Sequence, residues 1–227
     1  MPLFSIKTVI FTTLVTLTSL QINAHEVWLE RDDNGPVRVY LGEPGEPEVG
    51  SEINKLAGSQ VFTDDRKTVA TLAQKEDHFE ALVDRAGDAR LFSDQVWQPW
   101  QMDDSTWWKF WKSSEEKLQG GILQARVGRN ETSAKLTYEL VPVFANGNVF
   151  TATFEGQPLR NKSISLLTPS KMHHNFTTNK LGQIEIKSQE SGRFILTSVH
   201  TVDKQTIHSG KQVDSLMYIS TLSYVAP

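Results

Sequence analysis

The chain has 227 residues, 38% of them hydrophobic and 22% charged, with a formal net charge of −4 and no cysteine. That length suits one large or two modest domains, and a mildly acidic chain without a basic block argues against nucleic acid or an anionic membrane surface as partner. Without cysteine there is no disulfide framework and no thiolate ligand, so any metal falls to histidine, carboxylate, methionine, backbone or an N-terminal amine, donors that suit nickel, cobalt, copper or zinc.

Residues 1 to 24 carry one positive charge at Lys7, an apolar run from Val9 to Leu20 and the short polar end Gln21-Ile22-Asn23-Ala24. This is the layout of a cleavable secretory signal, with an apolar run too short to span a bilayer comfortably. Cleavage after Ala24 leaves a soluble exported chain that begins at His25. A first-position histidine can chelate one ion through its free α-amine and ring Nδ1, which an internal histidine cannot do. The amine has a reference pKa of about 7.7–8.0, so freeing it near neutrality costs little. His25 is therefore the first candidate metal ligand.

From His25 to residue 140 the pattern is that of short strands separated by turns, which predicts a β-sandwich. Val27 and Leu29 alternate with Trp28, Val37 to Leu41 is β-branched and aromatic, and Gly42 to Pro47 can only turn. Further strands are expected at Gln60 to Phe62, Val69 to Leu72, His78 to Val83 and Ala89 to Phe92. The exception is Gln95 to Leu118, which holds Trp97, Trp100, Trp107, Trp108 and Trp111. Asp103, Asp104 and Ser105 offer N-cap chemistry there, and Trp107, Trp108 and Trp111 share one helical face, so a short amphipathic helix is expected. Its tryptophans either cover the end of the sandwich or dock a membrane partner.

Strand character returns at Ile122 to Val127 and Ala134 to Leu140, and the Asn146-Gly147-Asn148 turn marks the passage into a second unit. The expected division is 25–140 and 141–227. In the second unit, strands are expected at Val149 to Phe154, Ser163 to Leu167, Gln183 to Ile186, Phe194 to His200 and Leu216 to Val225, with His173 and His174 in a loop. Because alternate strand residues share a face, His200 ends a strand whose same-face neighbours include Phe194 and Leu196. His208 lies eight residues on, in a polar segment expected to be a loop.

The mature start His25-Glu26-Val27-Trp28-Leu29-Glu30, the run Ala125-Arg126-Val127-Gly128-Arg129, the segment Leu136 to Pro142 and the stretch Gly192-Arg193-Phe194-Ile195-Leu196 leading to His200 together resemble one bacterial family. It is a periplasmic family of unknown function whose members are often encoded beside nickel and cobalt uptake transporters. The resemblance covers essentially the whole exported part. It implies an all-β protein of two sandwiches, the second transthyretin-like or carboxypeptidase-regulatory-like, with His25 as a ligand for nickel or cobalt and His200 as a second. The long tryptophan-rich stretch and the His173-His174 pair depart from the family's pattern.

Two donors from His25 leave an ion unsaturated, so His200 is the expected partner, with His208 or one of the adjacent loop histidines, taken as His174, completing the set. His78 is expected to be an ordinary surface histidine. No nucleophile elbow, phosphate loop or zinc-protease helix is present, and the chain is expected not to be an enzyme. The expectation is a periplasmic protein that captures nickel or cobalt for a membrane transporter. The alternatives are a copper-binding oxidative enzyme that uses the same first histidine, and a metal-free interaction module.

Overall fold

A computed structural model describes residues 25–63, 69–83, 85–102 and 117–227. The expected signal segment and most of the expected tryptophan helix, with Trp107, Trp108 and Trp111, lie outside the described residues. Among those described the regular structure is almost entirely β. In chain order the strands are β1 (Glu26–Glu30), β2 (Val37–Glu43), β3 (Glu46–Pro47), β4 (Gln60–Phe62), β5 (Leu72–Gln74), β6 (Phe79–Ala81), β7 (Ala89–Ser93) and β8 (Trp100–Gln101). They continue as β9 (Leu118–Val127), β10 (Tyr138–Pro142), β11 (Val149–Phe154), β12 (Gln157–Pro158), β13 (Ser163–Leu167), β14 (His173–Thr177), β15 (Gln183–Glu185), β16 (Gly192–His208) and β17 (Lys211–Ala226). A 3-10 turn, Glu52–Gly58, buries Ile53 and Leu56. No helix among the described residues is long and apolar enough to cross a membrane.

Three sheets result. The first runs β1-β2-β6-β5 with β3 folded back on β2, and a small one runs β10-β11-β12 with β15 on β11. The largest runs β14-β13-β16-β17-β9-β7-β4, with β8 on β9, and so takes strands from both sides of residue 141. Its join is the parallel pair β17 and β9, from Ser215 opposite Gln119 to Ser223 opposite Val127.

Strand alternation sends the two faces of this central sheet into different cores. Leu123, Ala125, Val127 and Ile219 enter a cluster with Val27, Leu29, Val39 and Leu91, under the first sheet. Ile164, Leu166, Phe194, Leu196, Leu222 and Tyr224 enter a second cluster with Tyr138, Leu140, Phe150 and Ala152, under the small sheet. Each fully buried side chain of this size contributes roughly 1.5–3 kcal/mol, so two such clusters explain how the fold stands without disulfides. β1 lies along the first of these faces. Thr221 Oγ1 donates to the Val27 carbonyl at 2.7 Å, the Ser223 hydroxyl donates to the Leu29 carbonyl, and Trp28 packs with Leu167 and Ile195.

On the second face of the central sheet, beside β10, sits a sealed ionic cluster. The side chains of Asp88, Arg90, Arg126 and Glu139 are all 0% exposed. Glu139 Oε1 accepts from Arg90 Nε at 2.8 Å and Arg126 Nη1 at 2.9 Å, and its Oε2 accepts from the backbone N–H groups of Lys135 and Leu136 at 2.6 and 2.9 Å. Arg126 also pairs with Asp88. Every charge there has both an opposite charge and further hydrogen bonds, the condition under which buried ions are tolerated.

Several expected elements need correction. His173 and His174 lie on strand β14, not in a loop. The strand expected to end at His200 continues to His208, because Thr201 to Asp203 and Thr206 to His208 keep pairing with β17 across an irregularity between Asp203 and Thr206. The expected polar loop is therefore the end of a long hairpin.

Candidate metal-binding N-terminus

His25 immediately precedes β1, and β3 folds back along β2 through the Gly42 to Pro47 turn to bring Glu48 to it. Gly42 makes that turn possible: it has φ 134°, and a Cβ there would lie 2.7 Å from the Glu46 carbonyl oxygen. The His25 ring Nε2 donates to Glu48 Oε1 at 2.6 Å, with the two side chains 46% and 35% exposed. Nδ1 of His25 has no hydrogen-bond partner among the described residues. A carboxylate on Nε2 fixes that nitrogen as the N–H and leaves the lone pair on Nδ1, the nitrogen that could close a chelate with an α-amine freed by cleavage after Ala24.

The neighbouring residue Glu26 is anchored from the central sheet, where Thr197 Oγ1 donates to its Oε2 at 2.6 Å. Burial pushes the Glu26 carboxyl up to about 7; the Thr197 hydrogen bond opposes the rise and the charge of Glu43 adds to it. Glu52 feels His25 weakly, and its carboxyl is held low mainly by Lys55. The surroundings of His25 are thus acidic and open.

The remaining expected ligands are elsewhere. Thr197 points to β1, so by alternation Ser198 and His200 point the opposite way. Ser198 accepts from Tyr138 Oη at 2.6 Å, and the His200 ring lies 4.6 Å from Phe154 and 5.7 Å from Tyr138 between centroids. Its Nδ1 is buried without a partner among the described residues, and burial, then the Lys162 charge, pulls its pKa down. His200 and His25 are on opposite faces of the central sheet. His200 is an aromatic-packed histidine at the edge of the second core.

His208 is only 6% exposed, with its ring set on Gly120, where a Cβ would lie 2.7 Å from Cδ2. Burial lowers its pKa against the pull of Asp94, and Ser209 Oγ donates to the Asp94 carbonyl at 3.5 Å. It latches the hairpin end instead of reaching the N-terminus. His174 is exposed on edge strand β14, opposite Leu166 and so on the His200 side of the sheet. His78, expected at the surface, is only 15% exposed in its side chain, held between Asp77 and Glu80 and against Tyr40. Among the described residues no group of three or more histidine, aspartate or glutamate side chains is positioned to hold a metal ion.

The sequence reading missed Glu48. Nothing in its spacing from His25, 23 residues away, marks it, because the contact depends on how β3 folds back. Comparison with known proteins adds no assignment: no protein-family model matches the chain, and no curated protein matches it.

Proposed function

We propose that the chain is an exported, non-catalytic metal-binding protein that captures nickel or cobalt in the periplasm and presents it to a membrane uptake transporter. The cargo ion is held by the His25 amine and Nδ1 after loss of residues 1–24. The observation that carries this reading is the Glu48 carboxylate on His25 Nε2, which leaves Nδ1 free on the residue where cleavage supplies the amine. Two protein donors leave most of the coordination sphere to water, which suits a carrier that must release its ion. Both donors bind only when deprotonated, so affinity falls as pH drops.

The reading revises the ligand set expected from sequence. His200, His208 and His174 are not part of it, and Glu48 enters as an orienting residue. Titration calorimetry of the mature protein with nickel, cobalt and copper tests it. One ion per chain, with binding lost in His25→Ala, is the expected result. Equal binding by His25→Ala would refute it, and no binding of any of the three ions would leave an interaction module. Oxygen-dependent polysaccharide cleavage by the copper form would point to the oxidative enzyme.

A further inference from the structure

We propose that the cavity beside Arg31 binds a small hydroxylated monocarboxylate. The cavity measures about 600 Å³ and opens between the β1–β2 turn, the approach to β7 and the ends of β9 and β17. Arg31 forms part of its wall and is only 7% exposed. Its Nε donates to the Gly35 carbonyl at 2.9 Å, and its Nη1 donates to the carbonyls of Arg85 and Gly87 at 2.8 and 3.1 Å.

Among the described residues no carboxylate pairs with this guanidinium, and burial pulls its pKa down. Nη2 has no acceptor among the described residues and is not among the sealed polar atoms, so its two N–H groups face the cavity. A nearly buried cation without a counter-charge is costly, and an anion on Nη2 relieves that cost.

The acidic groups in the wall decide which anion. Asp32 is taken by Arg38 and Arg193, each at 2.6 Å. Asp88 is taken by Arg126 and by the backbone N–H groups of Asn130 and Glu131. Asp33 is exposed and has no ion pair among the described residues. One unmatched positive charge beside one solvated negative charge is matched by a monoanion better than by the hydrogenphosphate dianion. The exposed amides of Asn34 and Asn130 offer both donors and acceptors to hydroxyl groups. The site shares no residue with His25 or Glu48, so either can fail without the other.

Calorimetric titration of the mature protein with gluconate at constant ionic strength, with inorganic phosphate as the second arm, tests the proposal. Saturable one-to-one binding of gluconate and none of phosphate are expected, with Arg31→Gln weakening the former by about tenfold or more. Arg31→Gln also removes the clamp on three carbonyls, so Asn130→Trp, which fills the cavity from an exposed position, provides the second variant. It should weaken gluconate by about tenfold with an unchanged thermal midpoint. No saturable binding up to about 10 mM, equal binding of phosphate, or unchanged affinity in Asn130→Trp would overturn the assignment.

Discussion

Glu26 stands next to the proposed N-terminus with its carboxyl pushed from 4.5 to about 7, chiefly by burial. The folded protein therefore keeps this proton where the unfolded chain has released it. Folding stability falls as pH rises from about 4.5 to about 7, and above that the full cost of the buried carboxylate is present. Part of Glu26 still reaches solvent, which trims the cost to on the order of 2 kcal/mol. Glu26→Gln should be more stable than the parent by that amount in urea unfolding at about pH 8 and indistinguishable from it at about pH 4. An offset that is the same at both pH values would show that the carboxylate charge is not responsible.

Glu48 acts at the same scale through His25. Carboxylates that orient a ligating histidine are typically worth about 10–100-fold in metal affinity. Glu48→Gln should weaken nickel or cobalt binding by about that factor without changing the stoichiometry. His25 was legible in the sequence because a cleavage pattern ends just before it, whereas Glu48 was not. A tertiary contact made by a fold-back turn leaves no periodic trace, and the same holds for Arg31, whose carbonyl partners come from 54 and 56 residues away.

Strands buried on a defined face could be read from their alternation. The spans expected at Val149 to Phe154 and Ser163 to Leu167 match β11 and β13 residue for residue. Strands with little burial could not be read this way. His173, His174 and Asn175 are all exposed on β14, and Thr201, Asp203, Lys204 and Gln205 are exposed in the far half of β16. There the backbone pairing alone makes the strand, and side-chain polarity suggests a loop.

The far hairpin is held by a small contact with a large consequence. Since a Cβ at Gly120 would lie 2.7 Å from the His208 ring, Gly120→Ala must displace that ring. The cost should be about 1–3 kcal/mol in denaturant unfolding. In a double-mutant cycle, His208→Ala should remove most of that cost, with a coupling of about 0.5–3 kcal/mol. Strict additivity of the two substitutions would contradict the seating of His208 on Gly120.

At the scale of the whole molecule, two main apolar clusters form among the described residues, the first drawing mainly on residues 27–127 and the second on residues 138–226. What the sequence did not reveal is that one sheet joins them. β17 closes the chain yet pairs in parallel with β9, and it lends Ile219 to the first cluster and Leu222 and Tyr224 to the second. A parallel pairing nearly a hundred residues apart in sequence has no local signature. Nor do Arg90, Arg126 and Glu139, which read as ordinary polar strand residues until the join buries them.

Removing one partner from that cluster leaves uncompensated charge in the interior. Glu139→Ala should cost about 3–5 kcal/mol and lower the stability of both halves together, in one unfolding transition followed by both far-ultraviolet dichroism and tryptophan fluorescence. Loss confined to one half would mean that the cluster does not couple the two cores.

The placement of the histidines also bears on function at this scale. The central sheet separates His25 from His200 and His174, and the hairpin end holds His208 at Gly120; on the proposed reading the ion is therefore held by the His25 amine and Nδ1. The most direct test is calorimetric nickel titration of the protein beginning at His25 against the same protein with one extra alanine before it. One tight site in the first and its loss in the second is the result predicted. Equal binding by the extended protein would contradict chelation by the N-terminal amine.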